Sequence, residues 1–249
     1  MTAGGLGLVP PGPGRRYSTS CLVRLGDVLP SGEARLDAIA RYLQDIAYDD
    51  GRDAGIENDL VWLVRKTIMG LARRPRVNER LDLMTWASGS GARWAERRTT
   101  ISVAGEPIVE SASLWVCVDL KTMRPARLPE HFWTMYGEAV DHRIVSSRLS
   151  HPDIPPASTA RPTPRPWPLR VTDLDVLGHV NNAVTWAAVE DELDRIGAPG
   201  RLVRAELEYR EPIDRSHDIS VSSQASGDVV HVWLSAEGTV LASAALTVE

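Results

Sequence analysis

Apolar positions along this chain follow a helical spacing once, then a strand spacing several times, and then the whole sequence of events repeats. Leu36, Ile39, Ala40, Leu43, Ile46 and Ala47 recur three and four residues apart, the signature of a helix with one buried face. Asp37, Arg41, Gln44 and Asp45 occupy its flanks, and Gly51 or Gly55 supplies a stop. A short strand is expected before this helix, at 17–25. Four β-rich stretches are expected after it, at 60–71, 80–88, 92–103 and 108–120. Gly-Ser-Gly at 89–91 reads as a turn or bulge, and Ala-Gly-Glu-Pro at 104–107 as a hairpin turn.

The second half runs through the same order. Trp186, Val189, Leu193 and Ile196 mark a helix over about 182–196, followed by strands at 201–212, 218–225, 229–236 and 239–248. Residues 108–116 align with 240–248 without a gap, and Arg73-Arg74-Pro75 aligns with Arg210-Glu211-Pro212. Between the halves, 141–168 holds seven prolines, which predicts an extended linker rather than a third domain. The reading is therefore a disordered Gly/Pro-rich tail at 1–16, one unit at 17–140, the linker at 141–168 and a second unit at 169–249. Strands in series without intervening helices exclude a parallel α/β domain and give an α+β class. Two such sheets would join edge to edge or pack as a pseudo-twofold pair, removing two open edges.

Composition narrows the function classes. A net charge of −5 argues against an electrostatic nucleic-acid partner. No apolar run approaches the roughly 18 residues a membrane span needs. The N-terminus lacks the charged start and compact apolar core of a signal peptide, so a cytoplasmic protein is expected. Cys21 and Cys117 lie far apart and imply neither a disulfide framework nor a metal site, and no cofactor is indicated. Cys117, inside Ser-Leu-Trp-Val-Cys-Val-Asp-Leu, reads as a buried, inert thiol.

The chemistry concentrates at 172–192, TDLDVLGHVNNAVTWAAVEDE. Asp173, Asp175, His179, Asn181 and Asn182 fall within ten residues, just ahead of the second helix. Asparagine is a favoured N-cap, so Asn181 or Asn182 starts that helix. An acid and an imidazole then stand at a helix N-terminus, whose free N–H groups favour developing negative charge, as an acyl-transfer site requires. An Asx-rich turn whose acids only cap the helix is the structural alternative.

These residues resemble the fatty acyl–acyl carrier protein thioesterase family, built from two tandem hotdog units, each a long helix wrapped by an antiparallel sheet, forming a pseudo-dimer. The resemblance rests on LDAIARYLQDIA, LVWLVRKTIMGLARRP and SASLWVCVDLKTMRPARLPE in the first unit, and on DLDVLGHVNNAVTWAAVEDE and LEYREPIDRSHDI in the second. It implies hydrolysis of fatty acyl thioesters to free acid and carrier thiol. Asp175 and His179 match the ends of the family's Asp-x-Asn-x-His motif, with Leu177 in place of the asparagine. Glu211 stands one position before the family's glutamate, with Pro212 at the expected place and no cysteine. The resemblance thus implies Asp175, His179 and Glu211 as catalytic candidates. Gly178, Asn181 and Asn182 are substrate-binding candidates, the N–H groups of 178–182 serving as oxyanion donors. The first unit has Asp27 and Glu33 without a histidine, so one site per chain is expected, with the first unit shaping an acyl tunnel. The expected partner is an acyl carrier protein or CoA thioester, on a monomer with an internal pseudo-dimer or on a homodimer. Arg73, Arg74, Arg76, Arg93, Arg97 and Arg98 are a candidate docking cluster for an acidic carrier, or a solvated strand face. Other readings are an acyl-CoA thioesterase, an acyl-thioester hydratase or dehydratase, and a non-catalytic acyl-binding protein. The hydratase motif Asp-x-x-Asn-Pro-x-His needs an Asn-Pro that is absent here.

Overall fold

The computed structural model describes residues 10–56, 60–155, 163–198 and 200–249. In the first unit, strand β1 (Tyr17–Leu22) precedes helix α1 (Leu36–Asp53), which is followed by β2 (Leu60–Leu71), β3 (Arg80–Ser90), β4 (Trp94–Val103) and β5 (Glu106–Asp119). Short strand β6 (Arg124–Pro125) and helix α2 (Glu130–Val140) complete it. The second unit contains β7 (Arg165–Pro166), α3 (Asn182–Arg195), β8 (Leu202–Tyr209), β9 (Ser220–Ser226), β10 (Val229–Ala236) and β11 (Thr239–Val248).

The strands form one antiparallel sheet in the order β1-β3-β4-β5-β2-β8-β11-β10-β9-β7, with β6 beside β5. That order reads the same from either end once the units are superposed, β1 answering β7 and β5 answering β11. Of the two ways the units could meet, the structure selects the edge-to-edge join, through β2 and β8, with Ile68 opposite Glu206 at the centre. Thr67 and Met69 share one face there with Ala205 and Leu207; all four are buried. On that face lie α1 and α3, in contact with each other. One core runs through both units, from Ile39, Leu43 and Ile101 to Trp186, Val189 and Val232. A carboxylate ties the helices: Glu190 of α3 accepts the Leu36 N–H at the start of α1 (2.6 Å) and pairs with Arg74 (2.5 Å). Negative charge at a helix N-terminus is where the macrodipole favours it.

Helix α2 has no counterpart in the sequence reading. It buries Phe132, Tyr136 and Val140 against Ala87, Ala95 and Cys117 at the end of the first unit's sheet. Asp50, 1% exposed near the end of α1, accepts from Tyr136 (2.8 Å), Arg97 (2.5 Å) and Arg15 (2.8 Å). The expected tail therefore does not stay free as far as residue 16. Arg15 is bound into this network, and Gly14 lies against Ala139 too closely for a side chain. Residues 1–9 lie outside the described residues.

The proline-rich segment, as far as it is described, is strapped across the other face of the sheet. Arg143 donates to the Ser88 carbonyl (2.8 Å) and to Glu96 (2.6 Å). Ser150 and His151 donate backbone N–H groups to the buried Glu208 carboxylate (2.7 and 3.1 Å), and Trp233 Nε1 donates to the Pro152 carbonyl (2.8 Å). Burial alone would raise the Glu208 carboxyl, but these N–H donors, with the charges of His151 and Lys66, hold it below the ordinary range.

Candidate active site

Asp27–Leu36 and Asp173–Asn182 are the same structure twice. In each, the acid that ends a short 3-10 turn accepts the N–H three residues before it, Arg24 on Asp27 (2.8 Å) and Arg170 on Asp173 (2.7 Å). A tight hairpin follows. The Leu29 N–H donates to the Glu33 carbonyl (2.8 Å), as the Asp175 N–H does to that of His179 (2.7 Å). Each hairpin turns on a glycine with positive φ, Gly32 at 80° and Gly178 at 78°, a conformation that costs a side-chain-bearing residue. Gly178 is thus required by the turn. Superposed, Leu29 stands where Asp175 stands and Glu33 where His179 stands. The fold offers this position twice and the sequence puts an acid at only one.

Asp175 is half-buried. Its Oδ1 accepts the N–H groups of Leu177 (2.9 Å) and His179 (3.1 Å). Among the described residues its Oδ2 has no hydrogen-bond partner. Two N–H donors fix the direction of the carboxylate. Asn181 caps α3, accepting the Ala183 N–H (2.9 Å) on its side chain. Asn182 is the first residue of α3, and its carbonyl accepts the Tyr209 hydroxyl (2.9 Å).

The expectation of a row of oxyanion donors over 178–182 is corrected by the hairpin itself. The N–H groups of Gly178, His179, Val180 and Asn181 go to the Asp175 carbonyl, the Asp175 carboxylate, the Ile213 carbonyl and the Asp173 carbonyl. Of that run, only the Asn182 N–H makes no hydrogen bond among the described residues. It belongs to the first turn of α3, where an unpaired amide attracts negative charge.

Asp175, Val176, Leu177, Asn181 and Asn182 form one wall of a cavity of about 680 Å³. The first unit supplies the rest. Gln44, Asp45 and Tyr48 of α1 lie opposite, and Leu60, Trp62, Trp115, Ala87, Ala95 and Phe132 make the apolar lining. Trp62 and Phe132 meet with ring centroids 5.7 Å apart, so the helix missed in the sequence contributes to the cavity wall. Tyr48, Leu120, Val176 and Leu177 line the cavity while remaining 41–100% exposed, which marks its mouth. Among the described residues, no three His, Cys, Asp or Glu side chains are grouped to hold a metal ion.

His179 and Glu211 are placed differently from Asp175. His179 is half-buried beside Asp175 in the hairpin and pairs through its backbone with Asp214, but it does not line the cavity. Glu211 is exposed where β8 leaves the sheet, its N–H on the Leu241 carbonyl (3.1 Å), and it too is outside the lining. The acid that faces His179 is Asp214, which the sequence reading passed over. The Ser216 hydroxyl and N–H hold its carboxyl below the ordinary range, and His217 and His179 add to the effect. Its signal lay in the repeat: Glu33 pairs with Arg76 as His179 pairs with Asp214.

The docking cluster is also corrected. Arg73, Arg74 and Arg76 pair with Glu79, Glu190 and Glu33, whereas Arg97 and Arg98 are largely buried on Asp50 and Glu96. These arginines hold elements together and do not form one free surface.

Comparison with known proteins decides the family. Residues 14–136 match the model of the acyl-ACP thioesterase N-terminal domain, and residues 157–247 that of its C-terminal domain. The chain belongs to the acyl-ACP thioesterase family. It is a thiolester hydrolase of the two-hotdog type. The chain is 28% identical over 239 residues to an uncharacterised protein of Mycobacterium tuberculosis, spanning 95% of this chain and 93% of that one. It is 27% identical over 208 residues to an acyl-[acyl-carrier-protein] hydrolase of Cuphea viscosissima, a chloroplastic protein, spanning 73% of this chain and 48% of that one. In fold it is similar to the 12:0-ACP thioesterase of Umbellularia californica, with a TM-score of 0.78 at 21% identity over 94% of this chain and 97% of that one. An acyl-ACP thioesterase of Bacteroides thetaiotaomicron gives a TM-score of 0.76 at 18% identity, over 94% and 98%.

Proposed function

We propose that this thioesterase hydrolyses a fatty acyl chain from acyl carrier protein, with Asp175 as the general base. The observation that carries the reading is Asp175 itself: a carboxylate fixed by two N–H groups at the wall of a mainly apolar cavity. An acyl chain enters between α1 and the strands of the first unit, burying its methylenes against Trp62, Trp115 and Phe132. The thioester carbonyl then lies at the N-terminus of α3, where the Asn182 N–H meets the developing oxyanion. Asp175 takes a proton from water as the water attacks the acyl carbon. The C–S bond breaks, the thiolate leaves with the carrier and the fatty acid is released. His179 braces the hairpin through its N–H and, facing Asp214, holds a second titratable group beside the reacting carboxylate. Glu211 has no part in this scheme because it stands away from the cavity.

The internal pair of units already makes one site from both halves, which supports a monomer as the working form. No helix among the described residues is long and apolar enough to cross a membrane, and action in the cytoplasm suits a carrier-borne substrate. The test is product analysis with acyl carrier protein and CoA thioesters of saturated chains. Free fatty acid with a stoichiometric new thiol is expected, faster from the carrier protein. Faster release from CoA would reassign the carrier. A substrate that gains or loses water with its thioester intact would replace hydrolysis by the hydratase reading.

A further inference from the structure

Arg93, Lys121, Arg124 and Arg127 are exposed and form no ion pair among the described residues. The backbone brings them to one corner. Strand β6 pairs with the end of β5, Val118 opposite Pro125 and Asp119 opposite Arg124. The Cys117 N–H donates to the Arg93 carbonyl (2.9 Å), and the Leu128 N–H to the Ala92 carbonyl (3.2 Å), so the start of β4 lies beside the same two segments. The nearest acid in the turn, Asp119, holds the Lys121 and Thr122 N–H groups (3.1 and 2.7 Å). Two large apolar side chains stand exposed among these cations, Leu120 at 46% and Met123 at 52%. Leu120 also lines the catalytic cavity, in company with Val176 and Leu177.

A positive corner with an apolar centre is unusual on a chain of net charge −5, and it is continuous with the mouth through Leu120. A partner that suits it has an acidic, partly apolar surface and delivers a thioester on a flexible arm, entering past Leu120 towards Asp175. We infer that the corner formed by Arg93, Lys121, Arg124 and Arg127 around Leu120 and Met123 is the docking surface for the acidic carrier protein. This rests on the hydrolase reading above and keeps, of the arginines that the sequence grouped, Arg93 alone in the docking role. Rim charges of this kind set encounter rate and salt dependence more than the chemical step.

The test uses the full chain with Lys121→Glu, Arg124→Glu and Arg127→Glu combined, and Arg124→Ala with Arg127→Ala as the milder variant. Holo acyl carrier protein is titrated to give Kd, and turnover is followed on acyl carrier protein and on the neutral acyl N-acetylcysteamine thioester. Charge reversal is expected to weaken carrier binding by about tenfold or more, to flatten the salt dependence of kcat/KM on the carrier, and to leave turnover of the small thioester unchanged. The milder variant moves the same way by a smaller factor. Equal carrier binding by wild type and the reversed variant overturns the docking surface while leaving hydrolysis standing, as does a wild type that binds no carrier. A wild type that binds the carrier but cleaves neither thioester overturns hydrolysis, and loss of that binding in the variant would still uphold the surface.

Discussion

The most exposed link between sequence, stability and pH is Glu192, on the last turns of α3. Its side chain is fully buried, and it accepts from Arg165 of β7 (2.9 Å), Ser223 of β9 (2.6 Å) and Arg195 of its own helix (2.6 Å). Burial by itself would raise this carboxyl. The hydrogen bonds from Arg195, Ser223 and Arg165 outweigh it and hold the group at about 2, against 4.5 when unpaired. A carboxyl whose folded value is depressed stabilises the fold above its unfolded value and loses that contribution as pH falls through the folded one. At pH 7 the difference amounts to about 3 kcal/mol, taken as a ceiling because Arg195 is 48% exposed and screened by solvent. By about pH 3 roughly half of it is gone. Glu192→Gln keeps the shape and removes the charge, so urea unfolding at neutral pH should show a loss approaching about 3 kcal/mol, shrinking to roughly half near pH 3. A gap that stays constant over that range would show that packing, and not the ionised carboxylate, is what Glu192 contributes.

Three other outcomes follow from the same geometry. Asp50→Ala leaves Arg97 largely buried without its partner and should cost about 3–5 kcal/mol in urea unfolding, whereas Asp53→Ala, at a 59% exposed side chain, should cost under about 1. Ala95→Leu places three more carbons in the cavity lining. It should shift the preferred substrate towards shorter acyl chains in a chain-length panel, and an unchanged profile would mean that the chain does not use that wall. Asn181→Ala removes the cap of α3 and should lower stability by about 1 kcal/mol while reducing turnover, because the same helix end carries the unpaired Asn182 N–H.

Much of the fold was legible because its two periodicities recur. The α1 helix has a clean apolar stripe, and β5 and β11 align without a gap over 108–116 and 240–248, so the repeat could be read from the sequence alone. Helix α2 was not legible. It is short, follows Pro129 and contains Gly137, and its stripe of Phe132, Tyr136 and Val140 is too brief to distinguish from a packed loop. Of the two readings of Gly-Ser-Gly at 89–91, a turn or a bulge, the structure fits the bulge, β3 continuing to Ser90 through a register shift between Ala87 and Gly89. Strand β8 stops at Tyr209, earlier than its apolar pattern suggests, because the N–H groups of Arg210 and Glu211 converge on the Leu241 carbonyl.

At the site, sequence spacing located the hairpin and its acid but not the partners that folding brings from elsewhere. Asp214 reaches His179 from beyond β8, and α2 reaches the cavity from the end of the first unit. Residue type misled where charge was counted without its partner. Arg97 and Arg98 read as surface but sit on β4 against Asp50 and Glu96, whereas Lys121 and Arg124, flanking an unremarkable turn, are exposed.

The central claim is that one carboxylate, placed by a repeated hairpin of which only one copy carries it, performs the hydrolysis. It is tested most directly by thiol release from an acyl carrier protein substrate at saturation, wild type beside Asp175→Asn, with matching thermal unfolding to show that the hairpin survives. Turnover lower by about a hundredfold or more, with substrate still bound, is the predicted result. Equal turnover by the two proteins would remove Asp175 from the chemistry and contradict the account.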